Sequence, residues 1–593
     1  GEIAAIAELD ILGPDGKPVS RENWKISFVD SEDSEDGNHS GEKVFDLQES
    51  TFWSAAAGEK CPHQLVIEME SNISVTGFRY LPRAESGCPG MIKDYKVYLR
   101  QYDFTYAVAD ETAVNEGLTI LPYPQKVDVT GGNLVLSSDR LSIGAVRQFK
   151  NEVAFFIDQM AADNGIDLKK TDVKKATIRI LKDDSMQNEE AYALSVSEDG
   201  VVVRSHGAAG AFYALQTLSQ IMTANGDGVS IPECNIEDAP QLGWRSFMLD
   251  EGRSFKGMAV VKQLLDDMAR LKMNVFHWHL TDDQGWRIEI RKYPLLTEVG
   301  ARRDSTQVGW YEYDTYDGKP HEGFYTQAQI KEIIEYAAAR HITVVPEIEM
   351  PGHSAAAVAA YPWLSAAGKQ IRVPCKFGVQ YNVFNPADER VFGFLEDVLD
   401  EVMDLFPSKV IHIGGDEVRY DEWKNSKQVM DFIAENNLGS PAGLQVWFTN
   451  KIASYIESKG RRMMGWNDIT GDQLHHFQNE AAETTVGLSP DAVVQFWSGK
   501  PALMLKSARH GNDIVNSFNE YTYLDYSTEY DSVQATYNWK PISLEKAYSF
   551  SPVPDGFPEE LKSKMIGAGC QMWGEWIPTV EKMNHQVYPR IAA

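Results

Sequence analysis

Between residues 241 and 593 the sequence alternates short apolar runs with helix-patterned segments, and this constrains the fold more than any other feature. The apolar runs fall at 246–249, 274–280, 343–348, 410–413, 462–466, 492–497, 513–516 and 565–573. Segments with helical spacing lie between most of them, for example 260–271 and 328–340. Strands of a parallel sheet are buried on both faces and read as near-continuous hydrophobic runs, and each needs a crossover connection to the next. Eight such units predict a (β/α)8 barrel with long loops. In that fold the chemistry sits at the C-terminal ends of the strands, so every candidate residue can be tested by its place relative to a run.

The chain before residue 241 has different patterns. Residues 1–102 read as short strands at 24–29, 64–70, 75–80 and 95–100, separated by Gly, Ser, Pro and acidic clusters, which suggests a β-sandwich module. Residues 103–117 read as a linker. Residues 118–240 mix strands at 176–181, 191–196 and 200–204 with a helical run that starts near Gly210, giving a small α+β domain. The expected fold class is therefore multidomain: a (β/α)8 TIM barrel, a small α+β domain and a β-sandwich.

Charge excludes some partners. Lys and Arg number 56 and Asp and Glu 86, a net charge of −30 that repels phosphate backbones, so no nucleic-acid partner is expected. No apolar stretch approaches the length of a spanning helix, about 20 residues. The start, Gly1-Glu2-Ile3, has no initiator Met and no signal-type segment and is read as a processed end. The five cysteines form no CxxC, and Cys61 and Cys88 are read either as a pair in an oxidising compartment or as ordinary thiols. The run Asp30-Ser31-Glu32-Asp33-Ser34-Glu35-Asp36-Gly37 could hold a structural Ca²⁺ through hard oxygens, but it lacks EF-hand spacing and reads better as a solvated loop.

Four motifs carry candidate chemistry. In Ile411-His412-Ile413-Gly414-Gly415-Asp416-Glu417 an apolar run enters two glycines and then adjacent carboxylates. Two neighbouring acids repel, so one can be driven to a raised pKa while the other stays ionised. In 276–287 (FHWHLTDDQGWR), strict strand alternation would place His277, His279 and Thr281 on one face and Trp278 and Asp282 on the other. His-x-His could bind a metal, but hydrogen-bonded barrel-core histidines are the preferred reading. In 345–354 (VPEIEMPGHS) a run ends in acids and a Pro-Gly turn presents His353. Trp466, Trp497, Tyr523 and Trp573 lie at or just beyond successive run ends, which suggests an aromatic-walled pocket suited to a pyranose, with Asp525 and Glu575 near enough to receive sugar hydroxyls.

The motifs HWHLTDDQGWR, PEIEMPGH, HIGGDEV and QMWGEW, in this order, resemble family 20 glycoside hydrolases, the β-N-acetylhexosaminidase family. The likeness covers about 118–593, with Leu121-Pro122 opening the usual small α+β domain. Trp24-Lys25-Ile26-Ser27, Val44-Phe45-Asp46, Thr51-Phe52-Trp53, the stretch from Val75 to Arg83 and Ile92-Lys93-Asp94-Tyr95 resemble a discoidin-type (factor 5/8 C-terminal) module, a likeness that stops near Gln101. The first resemblance implies an exo-acting retaining enzyme that needs no cofactor or metal and acts on glycans ending in β-linked GlcNAc or GalNAc. Glu417 would be the general acid/base and Asp416 the acid that orients the substrate's 2-acetamido group, which attacks the anomeric carbon to give an oxazolinium ion. Arg253 would bind ring hydroxyls, and Asp282 and His353 would support the acid/base. Trp466, Trp497 and Trp573 would wall the sugar, Tyr523 would bind the acetamide oxygen, and Asp525 and Glu575 would take further hydroxyls.

The sequence also departs from that family. Gly252-Arg253-Ser254 stands where Ser-Arg-His is usual, so the packing beside the arginine should differ. The stretch 361–385 is expected to build a lid or extra sugar subsites. The chain ends at Arg590-Ile591-Ala592-Ala593, just after the last run, where a closing helix would be expected. A lacto-N-biosidase-type disaccharide release, a non-catalytic carbohydrate-binding protein and a metal-dependent hydrolase are the alternatives. By analogy with other glycan-degrading enzymes that carry sandwich modules, an exported location is expected, and the oligomeric state is left open.

Overall fold

The computed structural model describes residues 117–593 except 473, 479–485 and 529–540, together with 4–14, 16–21, 24–29, 31–33, 38–48, 50–56, 63, 65–69, 75–83 and 92. All eight apolar runs form strands: β1 (Trp244–Asp250), β2 (Val275–His279), β3 (Thr343–Glu347), β4 (Val410–His412), β5 (Arg462–Trp466), β6 (Val493–Phe496), β7 (Asp513–Asn516) and β8 (Met565–Met572). They pair in sequence order, all parallel, and β8 returns to β1 to close the barrel. Their register puts Asp250 beside His279, His279 beside Glu347, and Glu347 beside His412. Residues paired across a sheet share a face. The register therefore builds a polar layer at the C-terminal mouth of the barrel.

The surrounding helices bury one stripe each. In Glu389–Leu405, Val391, Phe394, Leu395, Val398, Leu399 and Val402 are buried at helical spacing, and the Asp388 side chain accepts from the Arg390 backbone N–H at its start. Gln327–Ala338 begins with a full Thr326–Gln329 capping box. A helix, Val580–Val587, does follow β8, which corrects the expectation that the chain stops short of one. It starts on a Thr579 cap and buries Met583, Gln586 and Val587. Beyond it Arg590 is buried and donates to the carbonyls of Leu524, Tyr526, Ile542 and Gln586, which fixes the 524–526 turn beside the barrel mouth.

Upstream, Lys126–Leu136, Ser142–Ala145, Lys169–Lys170, Ile178–Lys182, Tyr192–Ser197, Gly200–Ser205, Thr223–Asn225 and Gly228–Asp238 form one mixed sheet, flanked by helices Lys150–Asn164 and Ala208–Ile221. The second helix is apolar nearly all round and is buried almost throughout. Polar clamps join this sheet domain to the barrel. Arg245 Nη2 donates to Glu190 Oε1 at 2.7 Å, and Lys272 Nζ donates to Asp238 Oδ2 and to the Tyr192 hydroxyl, both at 2.9 Å.

The N-terminal unit, residues 1–103, pairs Glu8–Leu12 with Gly77–Leu81, Lys25–Val29 with Leu65–Glu68, and Ala5–Ile6 with Trp53–Ser54, all antiparallel. The first and third of these pairs include strands before residue 24 that the sequence pattern does not single out. Val44, Trp53 and Ala55 are buried in its centre, and Trp53 Nε1 donates to the Ser31 carbonyl at 3.0 Å. Arg21 bridges Glu8 and Asp10. The expected strand at 95–100, most of the linker, the core of the acidic 30–37 loop and the Cys61–Cys88 pair lie outside the described residues. Among the described residues Cys234, Cys375 and Cys570 are free thiols, and no helix is long and apolar enough to cross a membrane.

The Lys272 clamp yields a stability prediction. Replacing Lys272 with Met keeps the volume and strands the Asp238 carboxylate. We expect a loss of about 2–3 kcal/mol in urea unfolding, near the low end for a broken buried pair because Asp238 retains some solvent. An unchanged midpoint would contradict the clamp.

Candidate active site

The polar layer at the barrel mouth is organised by Glu347, the last residue of β3. Its Oε2 lies 2.6 Å from His279 Nδ1 and 2.8 Å from His277 Nε2. Its Oε1 lies 3.0 Å from His412 Nδ1 and accepts from Trp466 Nε1 at 2.7 Å. Burial opposes ionisation of Glu347, but the three imidazoles outweigh it and hold the carboxyl well below its usual range. His279 is pushed up to about 10: burial opposes its charge, and Glu347 and Asp282 overcome it. His277 falls to about 4 because burial dominates there. The two histidines of the His-x-His motif thus face one carboxylate. Although the His277, Glu347 and His412 ligand atoms lie close enough to hold a metal ion, the Trp466 indole, a donor that cannot ligate a metal, occupies the fourth direction.

From His279 a chain of alternating charge runs across the mouth. His279 Nε2 lies 3.0 Å from Asp282 Oδ2, and that oxygen pairs with Arg253 Nη1 at 2.8 Å. Strict alternation from β2 had put Asp282 on the opposite face. The strand ends at His279, and Thr281–Asp282 enters a hairpin with Gly285–Trp286, which turns Asp282 inward. Arg253 follows β1, also contacts Asp250 Oδ2 at 3.3 Å, and lies 5.1 Å from the centre of the Trp573 ring. The unusual Gly252 has a packing reason: an added Cβ would sit 2.7 Å from the Asp282 Cβ. His353 Nδ1 lies 3.4 Å from Asp282 and 3.2 Å from Asp283, and its Nε2 lies 3.7 Å from Asp416 and 3.6 Å from Glu417. Burial would discharge His353, but the Asp282 and Asp416 carboxylates outweigh burial and hold it well above the usual histidine range. A buried imidazolium therefore touches both acids of the glycine turn.

That turn is forced. Gly414 has φ +64°, and a Cβ there would overlap the Glu349 carboxyl. Glu417 (φ 49°) and His353 (φ 45°) also hold left-handed backbone, a costly conformation for side-chain-bearing residues that concentrates at functional sites. Asp416 is pushed up to about 7, chiefly by burial and further by Asp468 and Glu417, against the pull of His353. Glu417 moves the other way: burial raises it, but His353 and His475 leave it below the ordinary carboxylate range. The pair does split as two adjacent acids should, with Asp416 raised and Glu417 lowered.

The aromatic residues converge on the same mouth. Trp466 is fully buried and forms the floor, 5.6 Å from Trp573; Trp497 and Tyr523 stack 6.0 Å apart with planes 9° from parallel, and Tyr523 lies 6.0 Å from Trp573. Asp525 is buried, and burial followed by the Glu575 charge pushes it well above the usual range; burial likewise raises Glu575 against the pull of Arg253. Asp416 Oδ1, Asp525 Oδ2 and Trp573 Nε1 are buried without a hydrogen-bond partner among the described residues. Buried polar atoms are normally paired, so this set calls for a ligand rich in hydroxyl and amide groups.

The sequence reading missed two residues. Asp468 accepts from the Glu417 backbone N–H at 3.1 Å, from Trp497 Nε1 at 2.8 Å and from His475 Nε2 at 2.8 Å. His475 Nδ1 lies 3.8 Å from Glu417 Oε1, and Asp468 and Glu417 push its ring up to about 9 against burial. The available signal was an acid two positions past the end of β5.

Residues 242–593 match the sequence profile of the glycosyl hydrolase family 20 catalytic domain. The chain belongs to that family. Residues 117–239 match its domain 2, and 28–127 match the F5/8 type C domain. A β-hexosaminidase of Vibrio furnissii is 35% identical over 492 residues, 80% of this chain and 76% of its own. One from Porphyromonas gingivalis is 32% identical over 490 residues, 81% of this chain; the match spans only 60% of that relative's length. Among solved structures, a β-N-acetylhexosaminidase from Bacteroides fragilis superposes with a TM-score of 0.67 at 32% identity, covering 80% of this chain and 90% of that one.

Each Glu347 oxygen is already engaged by a protein group, Oε2 by the His279 ring and Oε1 by the Trp466 indole, so the histidine cluster needs no metal. A transition-metal chelator in excess should leave the melting temperature unchanged; a drop reversed by added zinc would contradict this assignment.

Proposed function

We propose that this protein is an exo-acting, retaining β-N-acetylhexosaminidase that removes terminal GlcNAc or GalNAc from glycans without a cofactor. The observation that carries the reading is the Asp416–Glu417 pair on its glycine turn, touched on both carboxyls by the buried His353 imidazolium and facing unpaired buried polar atoms in an aromatic-walled mouth. Family membership and the relatives' β-hexosaminidase names support it.

In this reading Glu417 gives its proton to the glycosidic oxygen as the bond to the anomeric carbon breaks. The acetamide oxygen of the same sugar closes on that carbon. Positive charge spreads over the oxazolinium ring, where the Asp416 carboxylate beside the acetamide N–H offsets it. Glu417, now ionised, takes a proton from water as the water opens the ring on the face the leaving group left, so configuration is retained. Tyr523 donates to the acetamide oxygen and Trp466, Trp497 and Trp573 wall the sugar. Arg253, Asp525 and Glu575 take its hydroxyls, and Asp282 and His353 hold the acid/base.

The proton on Asp416 has a place in this cycle. An acetamide N–H favours ionised Asp416, and the bound sugar removes water from Glu417 and raises its pKa. Substrate binding thus moves the shared proton to the residue that must donate it.

Two predictions test the assignment. Glu417→Gln should lower kcat by about 10²–10⁴-fold on substrates with poor leaving groups and much less on activated aryl glycosides. Equal losses on both would remove Glu417 from the acid role. The pH profile follows from the pair. A carboxyl raised to about 7 keeps its proton below that pH and loses it above, so kcat/KM should fall above about pH 7, and in Asp416→Asn, whose remaining rate is low, this limb should move to lower pH because Glu417 alone must then hold the proton. A profile flat to pH 9 in the wild type would contradict the shared proton.

A further inference from the structure

One wall of the site is a continuous stack of planar groups drawn from five strand ends. Tyr523 stacks on Trp497 (6.0 Å, 9°), Trp497 on His475 (5.8 Å, 24°) and His475 on Phe477 (5.1 Å, 7°). The Arg419 guanidinium continues it, 4.3 Å from the Phe477 ring centre and 4.7 Å from that of Tyr381. The Tyr523 end is buried, whereas Tyr381 is 52% exposed, so the stack runs from the depth of the site to its rim. It passes Glu417 at His475, 3.8 Å from the carboxyl. Tyr523 and Trp497 lie on the inner side of that point. Phe477, Arg419 and Tyr381 lie on the outer side.

Arg419 is unusual for this chain. The net charge is −30, yet among the described residues no carboxylate lies within ion-pairing distance of it, and its buried Nε has no partner. The neighbouring Glu422 is engaged by Asn382 Nδ2 at 2.8 Å. Arg253, deep in the site, is by contrast ion-paired through Nη1 with Asp250 and Asp282. A guanidinium packed over rings keeps its edge for binding. That edge is a planar fork of N–H donors matched to a carboxylate or sulfate.

We propose that Phe477, Arg419 and Tyr381 form a leaving-sugar subsite that selects glycans whose residue next to the terminal N-acetylhexosamine carries an anionic group. This rests on the hexosaminidase reading above. Its chemistry is shared by a uronate carboxylate and a sugar sulfate, and the test separates them.

The experiment compares kcat/KM on β-1,4-linked disaccharides of GlcNAc with glucuronic acid against glucose, and with 6-O-sulfated GlcNAc against GlcNAc, with an aryl β-GlcNAc glycoside as reference. The wild type should favour at least one anionic member by about tenfold, the worth of one charge-assisted contact, and the favoured arm identifies carboxylate or sulfate. Arg419→Gln should collapse that ratio to about one, and Arg419→Lys should restore part of it. Equal wild-type rates on both charged and neutral pairs, with the aryl glycoside cleaved, would overturn the subsite and leave the hexosaminidase reading standing. A ratio that survives Arg419→Gln would also overturn it. Failure to cleave any substrate, the aryl glycoside included, would remove both readings.

Discussion

The barrel mouth depends on one buried carboxylate. Glu347 sits in register with His279 on one neighbouring strand and His412 on the other; its two oxygens are hydrogen-bonded to His279 on β2 and Trp466 on β5, and His412 Nδ1 on β4 lies 3.0 Å away. A bare carboxylate at this depth would be costly, and so would a charged imidazole; together they are tolerable because each supplies what burial removes. The arrangement also has a direction. His279 is charged by Glu347 on one nitrogen and presents the other to Asp282, so the layer fixes where the next charge must stand.

From that point the site is an alternation of sign: Asp282 between His279 and Arg253, His353 between Asp282 and the Asp416–Glu417 pair, His475 between Glu417 and Asp468. Glu417 is thus flanked by two imidazolium rings and held low, while Asp416, more deeply buried and beside Asp468, is held high. In the proposed cycle the carboxyl that must be ionised is the one held high before substrate binds. A substrate with an acetamide N–H would supply the interaction that lowers it, tying activation of the acid to recognition of the correct sugar.

Much of this was legible in the sequence because parallel barrel strands are buried on both faces and announce themselves as apolar runs. The order of HWHLTDDQGWR, PEIEMPGH, HIGGDEV and QMWGEW then put the acids and aromatics at strand ends. Three features were not legible. Asp282 was placed on the wrong face because a hairpin, invisible to alternation, begins right after His279. The helix Val580–Val587 was overlooked because it is short and mostly polar, although Thr579 caps it and Met583 and Val587 are spaced for burial. His475 lies in a polar loop without periodicity, and only the fold brings it to Glu417 and into the stack that ends at Arg419.

The central claim is that the substrate's own acetamide performs the first displacement at the Asp416–Glu417 pair. The most direct test is hydrolysis of aryl β-GlcNAc against the matching aryl β-glucoside, which differ only at that group. The account predicts that the acetamido sugar is cleaved at least about a thousandfold faster, the advantage of a nucleophile already held in place. Comparable rates on the two glycosides would contradict it, because the reaction would then need a nucleophile that the acetamide does not provide.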